Sequence, residues 1–287
     1  MGKKKTIKYL MLRQLELHTR FGVSRHSEKT DNMGQSAYIH SSGTLRTYIQ
    51  QATNYATYLT DRGLRYCTLD DAKRYAADYV LSKHSTWSQS TARSALAKVF
   101  GVSGPDICQL DRRDPTEIVR GRVATDRAAA IERNHPDLAA ACRSMGLRSG
   151  KELRSLTAKD IRHGADGQLY AHVKGKGGRI RDALILPGRG RDIVLQRVSE
   201  RPDGPLFAVP SNTNVHGWRA DYAASCYQYA LDHGHGSGTY YIPHDGSGSR
   251  WDKGALDYVS DQMGHGSGRY YTIYYDYLTY GDGDGGK

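Results

Sequence analysis

Phenylalanine is scarce in this chain, with three residues in 287 against 21 tyrosines. Aromatic packing therefore falls mostly to rings that carry a hydroxyl, and such rings also suit surfaces that stack on bases and donate to phosphates. Cysteine is equally sparse. Cys67, Cys108, Cys142 and Cys226 lie far apart, with no C-x-x-C pair. That pattern argues against a zinc knuckle and a disulfide scaffold, and it predicts a reducing, cytoplasmic setting. No apolar run approaches the ~20 residues of a membrane span, and Met1-Gly-Lys-Lys-Lys leads into no signal-peptide core, so no membrane association is predicted. No period of about 20–50 residues recurs, which excludes a solenoid. Acidic residues are outnumbered, 30 Asp and Glu against 41 Lys and Arg, for a net charge of +11 and a pI near 9.4. The excess favours a polyanionic partner; a solvated basic surface is the plainer alternative.

What is present is helical periodicity, interrupted once by alternation. Residues 1–39 are polar and weakly patterned, and are expected to form an N-terminal arm. From His40 the spacing of Leu45, Tyr48, Ala52, Tyr55, Ala56 and Leu59 predicts a helix capped by Ser41 or Ser42. Further helices are expected over Leu69–Leu81 and about 88–100, so residues 40–103 form a small helical domain. A break rich in Asp, Arg and Pro predicts a linker at 104–122, carrying Arg112, Arg113, Arg120 and Arg122. Residues 123–280 form the second domain. Its helical pattern from Asp126 to Met145 is followed by two alternating runs, 169–173 and 180–186. These flank Gly175-Lys176-Gly177-Gly178 and read as a β-hairpin. Helices are expected again at 192–198, through Trp218 and Tyr222 with Ser211 or Asn214 as cap, and at 253–263. The Gly/His-rich segment 233–249 reads as flexible, and 281–287 as a disordered tail. The fold class is therefore mainly α, with a small β-hairpin sheet in the C-terminal domain.

Several cationic side chains recur on sharp turns or helix faces. Arg148 follows Gly146-Leu147. Lys176 sits between glycines, with Lys174 and Arg179 nearby. His216 and Arg219, three residues apart, share a helix face. His265 follows Gly264, and tyrosines follow at 270, 271, 274, 275 and 277. Cations gathered around one phenol suit attack on a phosphodiester, because fixed donors stabilise charge that develops in the transition state. Each motif has a plainer reading: a surface ion pair for Arg148, an exposed turn for Lys176, residues flanking a packed Trp218, and core tyrosines. His233, His235, His244 and Asp245 have ligand-like chemistry, but their glycine-rich setting lacks the rigidity of a metal site, and no metal is expected.

In order and spacing, G-L-R, the G-K-G hairpin, H-x-x-R, G-H and Tyr resemble the tyrosine recombinase (phage-type integrase) family. Residues 123–278 resemble its catalytic domain, and 40–101 its helical core-binding domain. The resemblance implies a site-specific DNA recombinase that cuts and rejoins DNA through a 3′-phosphotyrosyl intermediate, in integration or excision of a mobile element. It implies double-stranded DNA as partner, a tetramer on two DNA sites, and neither metal nor cofactor. Arg148 and Arg219 match the arginines that hold the non-bridging oxygens. Lys176 matches the general acid, with Lys174 as rival. His216 matches the proton-handling histidine, and His265 the one that bonds the phosphate. For the nucleophile, a nine-residue gap from His265 points to Tyr274 and a ten-residue gap to Tyr275. Arg269 together with Tyr277-Leu278 points to Tyr277, which leads. Arg112, Arg113, Arg120, Arg122, Lys174 and Arg179 are expected to touch DNA. Two features depart from the family pattern. Glu152 stands four residues after Arg148 where three is usual, and 45 residues separate Arg219 from Gly264. A catalytically impaired DNA-binding protein of the same fold, and a nucleic-acid-binding module without catalysis, remain alternatives.

Overall fold

Helix caps and one tight hairpin set the element boundaries. The computed structural model describes residues 4–23, 28, 30, 36–112, 126–175, 178–211 and 213–279. The chain divides into two compact units, Met1–Pro115 and Thr116–Lys287.

In the first unit, Thr6 caps α1 (Ile7–Leu17) by accepting from the Tyr9 amide, and Ile7, Met11 and Leu15 bury one face of the helix. The expectation of a polar arm over 1–39 is corrected here: an i, i+4, i+8 apolar stripe in α1 joins the core. Ile39 is buried as well, and residues 18–20 pair with it through backbone bonds. Ser41 caps α2 (Ser42–Thr60), and a Thr68–Asp71 capping box opens α3 (Leu69–Lys73). The single helix expected over Leu69–Leu81 is two, because the chain breaks at Arg74–Tyr75 before α4 (Ala76–Leu81). Ser85 caps α5 (Thr86–Phe100), which ends on Gly101 in the left-handed conformation. The core holds Tyr55 against Tyr79 at 4.8 Å, with Leu59, Val80, Leu96 and Val99 around them. Ile107, Cys108 and Leu110 pack on it too, so the start of the expected 104–122 linker belongs to this unit.

The second unit begins with α6 (Asp126–Asn134) and α7 (Pro136–Met145). The continuous helix expected there is interrupted because proline lacks an amide and restricts the residue before it. After α8 (Lys151–Arg154), an antiparallel sheet runs β1 (Ile161–His163), β2 (Leu169–Lys174), β3 (Ile180–Leu184). The register pairs Val173 with Arg181 and Lys174 with Ile180 across the 175–179 turn. The third strand, β1, is absent from the sequence reading. Leu169, Ala171 and Val173 face Leu138, Cys142, Met145 and Trp218 in one core cluster. α9 (Arg189–Glu200) and α10 (His216–Asp232) follow. A second cluster joins Leu184, Tyr222, Ala223 and Cys226 to Leu256, Val259, Met263, Ile273 and Tyr277.

The Gly/His-rich segment is folded rather than flexible. β4 (Tyr240–Tyr241) pairs with β5 (Trp251–Asp252), and the Asp252 carboxylate accepts from the Ser237, Gly238 and Ala255 amides. The same carboxylate caps α11 (Lys253–Gln262). His233 stacks on Tyr229 at 3.8 Å and His235 on Tyr258 at 4.1 Å. Asp252→Ala is expected to destabilise this unit by about 1–2 kcal/mol through loss of the cap. Hydrogen exchange should quicken at the Ser237, Gly238 and Ala255 amides while those of α7 are unchanged. The chain then runs through α12 (Tyr270–Ile273) into a π-helical turn at Tyr274–Leu278. The expected tail 281–287 lies outside the described residues. Among those that are described, no helix is long and apolar enough to cross a membrane.

Candidate active site

Arg148 is placed by the end of α7. That helix stops at Gly146, whose φ of +60° lets the chain reverse, and a Cβ there would lie 2.3 Å from the Tyr222 ring. No other residue fits, so the chain leaves toward Arg148 at a fixed angle. Two residues into α8, Glu152 turns back: its carboxylate accepts from the Arg148 amide at 2.9 Å and from Arg148 Nη1 at 2.7 Å. The four-residue spacing thus closes as an i, i+4 pair on the first helical turn. Arg181 on β3 adds two bonds to the same carboxylate, at 3.0 and 2.9 Å, and Glu152 is buried. The Arg148 side chain stays 30% exposed and borders a cavity of about 640 Å³, which Lys174, Gly175 and Gly178 of the hairpin also line.

Helix α10 supplies the next two residues. Trp218 is buried in the core and its indole donates to Glu132 of α6 at 3.0 Å, which fixes the rotation of the helix. No side chain caps the first turn in the usual way. Asn214 instead accepts from the His216 amide at 3.0 Å, two residues on. Arg219 falls on the face beside His216 and is only 2% exposed. One of its nitrogens donates to the Gly146 carbonyl, which ties it to the turn that carries Arg148. The other donates to the Tyr277 hydroxyl at 3.1 Å.

Gly264, at φ +76°, ends α11 and presents His265, whose amide bonds the Ser260 carbonyl at 2.8 Å. The Gly266–Gly268 loop is drawn back onto α11: the Ser260 hydroxyl donates to the Gly266 carbonyl, and Asp257 accepts from the Gly268 amide. Past α12 the π-helical turn widens the backbone spiral and aims Tyr277 inward. Its hydroxyl lies 3.1 Å from His265 Nε2, and its ring stacks on His216 with centroids 6.3 Å apart. Tyr274 points elsewhere and donates to Asp245 at 2.7 Å; Tyr275 packs against Tyr271. Of the three candidate tyrosines, Tyr277 is the one whose hydroxyl meets Arg219 and His265.

Burial and neighbouring cations together set the electrostatics. Burial, then the charges of Arg148 and Arg219, push the His265 imidazole down to about 4, so it is neutral near pH 7. With Nε2 unprotonated it can accept the Tyr277 proton while Arg219 donates to the oxygen. Burial also lowers the Arg219 pKa, with Tyr277 opposing and Arg148 adding to the shift. Burial would raise Glu152, but Arg181 and then Arg148 overcome it and hold the carboxyl at about 2.

A carboxyl depressed below its ordinary value stabilises the fold above about pH 4.5, and that stabilisation is lost as pH falls through about 2. Unfolding free energy of the wild type should therefore decline across that window, and Glu152→Gln should flatten the slope. Glu152→Ala, which strands Arg181, is expected to lose about 3–5 kcal/mol in denaturant unfolding.

His216, Arg219 and His265 are thus gathered around the Tyr277 phenol, and the Arg148 charge is felt by both Arg219 and His265. Lys176 lies outside the described residues, as do Arg113, Arg120 and Arg122; Arg112 is exposed. Arg179 is half exposed and reaches Asp261 at 3.4 Å. Sequence reading missed Arg181. The available signal was its register: it faces buried Val173, and an arginine on a sheet's inner face needs a buried anionic partner. Among the described residues, no group of His, Cys, Asp and Glu is arranged to hold a metal ion.

In fold, the chain is similar to a solved site-specific recombinase. The XerH recombinase bound to its difH substrate, in a pre-cleavage complex, superposes with a TM-score of 0.50 at 14% identity. The match covers 96% of this chain and 95% of that one. The XerA recombinase is 15% identical over 94% of each chain, but its TM-score of 0.31 is too low to bear on the fold. No protein-family model and no curated protein matches the sequence.

Proposed function

We propose that this chain is a tyrosine-type site-specific DNA recombinase. The observation that carries the reading is the placement of the Tyr277 hydroxyl, 3.1 Å from Arg219 Nη2 and 3.1 Å from neutral His265. In the reaction, Tyr277 oxygen attacks the scissile phosphorus. The bond to the 5′-oxygen breaks, leaving a 3′-phosphotyrosyl link, and the departing oxygen takes a proton from Lys176. Arg148 and Arg219 hold the non-bridging oxygens as charge builds on them, and His216 and His265 handle protons beside the phenol. A free 5′-hydroxyl then reverses the attack on the same or a second strand, so no bond energy is lost. Duplex DNA is the substrate, two sites are brought together by a tetramer, and the outcome is integration or excision of a mobile element. Lys174, Arg179 and the arginines of 112–122 contact phosphates, so binding should weaken steeply with salt.

A second reading, a DNA-binding protein of this fold without catalysis, draws on one observation: the Gly146 carbonyl and the Tyr277 hydroxyl already occupy Arg219, which is nearly buried. A nicked duplex that loses its short 5′-hydroxyl fragment on cleavage distinguishes the two. The recombinase accumulates a protein–DNA adduct stable to SDS, whereas the inactive protein shifts the DNA without forming one.

A further inference from the structure

Arg181 belongs to no motif that the chemistry above uses, yet its guanidinium lies where three turns of the site meet. Nη1 and Nη2 donate to the two oxygens of Glu152, and Nε donates to the Gln262 carbonyl at 2.9 Å. Glu152 in turn holds both the amide and the guanidinium of Arg148. Gln262 ends α11, three residues before His265, and its side chain accepts from the Leu184 amide at 2.6 Å. Two glycines make room for this arrangement. A Cβ on Gly264 would come within 2.9 Å of Arg181 Nη1. One on Gly175, directly before Lys176, would come within 2.8 Å of Glu152 Oε1 and 3.2 Å of Arg181 Nη1. The Arg181 side chain is only 7% exposed, so the planar fork is locked by its surroundings.

We propose that Arg181 is a positioning residue for the strand-cleavage reaction: by bonding Glu152 and the Gln262 carbonyl at once, it fixes Arg148, the Gly264–His265 turn and the hairpin at Gly175 relative to one another. The proposal rests on the recombinase reading and adds to it a residue that need not touch DNA. A purely packing role would require bulk and charge alone, which lysine largely retains. The positioning role requires three donors in one plane, and a lysine ammonium cannot reproduce them.

The test is Arg181→Lys in the full chain, measured in two ways. In single-turnover adduct formation at saturating nicked duplex, the rate should fall about 10–100-fold while DNA affinity stays within about threefold. Its acid limb should move to higher pH, because Glu152 loses its bidentate partner, and the shift should vanish in Arg181→Lys/Glu152→Gln. Without DNA, NMR titration of His265 should show a rise toward the ordinary histidine value as the turn loosens. A lower melting temperature with an unchanged rate, pH profile and His265 titration would overturn the proposal. If the wild type forms no adduct at all, the recombinase reading fails instead, and the His265 titration still decides whether Arg181 holds that turn.

Discussion

Tyr277→Phe is expected to abolish the covalent protein–DNA adduct, a loss of roughly 10⁴-fold or more in cleavage rate, as for removal of a nucleophile. The change deletes one hydroxyl and keeps the ring, which packs with Ile273, Met263 and Leu256 in the second core cluster. Fold and DNA affinity should therefore survive, with a stability change of about 1 kcal/mol from the lost Arg219 and His265 bonds. Tyr274→Phe and Tyr275→Phe are the matched controls. The first breaks the bond to Asp245 and the second removes a hydroxyl from a ring packed on Tyr271; both should still form adduct. Gel analysis of the three variants on a nicked duplex separates them directly. Adduct from Tyr277→Phe at the wild-type rate would remove the phenol from the chemistry.

Arg219→Lys is the second change with a large expected effect. It keeps the charge but loses the fork that spans the Gly146 carbonyl and the site of the phenol. Cleavage should drop about 10²–10³-fold, the scale of one preorganised donor set aimed at developing charge. Affinity for duplex DNA should stay within a few-fold, because this guanidinium is almost wholly buried and adds little to the field that attracts phosphates from outside. The lysine variant is more informative than alanine, which would leave a cavity and an unpaired carbonyl at the Arg148 turn and so mix folding with chemistry. Parallel binding isotherms and single-turnover rates make the comparison. Equal losses in both would assign Arg219 to binding alone.

Much of the site could be read in the sequence because its residues come from elements with strong local signals. His216 and Arg219 share a helix face by spacing, and Arg148 and His265 each follow a glycine that folds with positive φ. The tyrosine was the hard case. Counting residues from His265 assumes a regular backbone, and the Gly266–Gly268 loop together with the π-helical turn breaks that assumption. The anchor pair Arg269 and Tyr277-Leu278 allows for a longer loop and leads to the tyrosine whose hydroxyl meets Arg219 and His265, whereas a fixed gap leads to Tyr274 or Tyr275. In the sequence Glu152 stands out only as a departure in spacing, although four residues is the separation that lets a carboxylate reach back to Arg148. The mainly α character and the hairpin were legible from periodicity. β1, β4 and β5, at two or three residues each, are too short to show alternation. Residues 7–17 read as part of a polar arm because few apolar residues mark α1, yet Thr6, Ile7, Met11 and Leu15 form a capped stripe. The Gly/His segment looked flexible by composition; one carboxylate, Asp252, gathers its amides from a distance that composition cannot reveal.

The central claim is that the oxygen of Tyr277 becomes bonded to phosphorus. Trapping the wild-type protein on a nicked duplex, digesting both partners and sequencing the nucleotide-bearing peptide by mass spectrometry tests it most directly. The account predicts a phosphonucleotide on Tyr277 within the peptide that spans residues 270–279. A modification on any residue other than Tyr277 would contradict it.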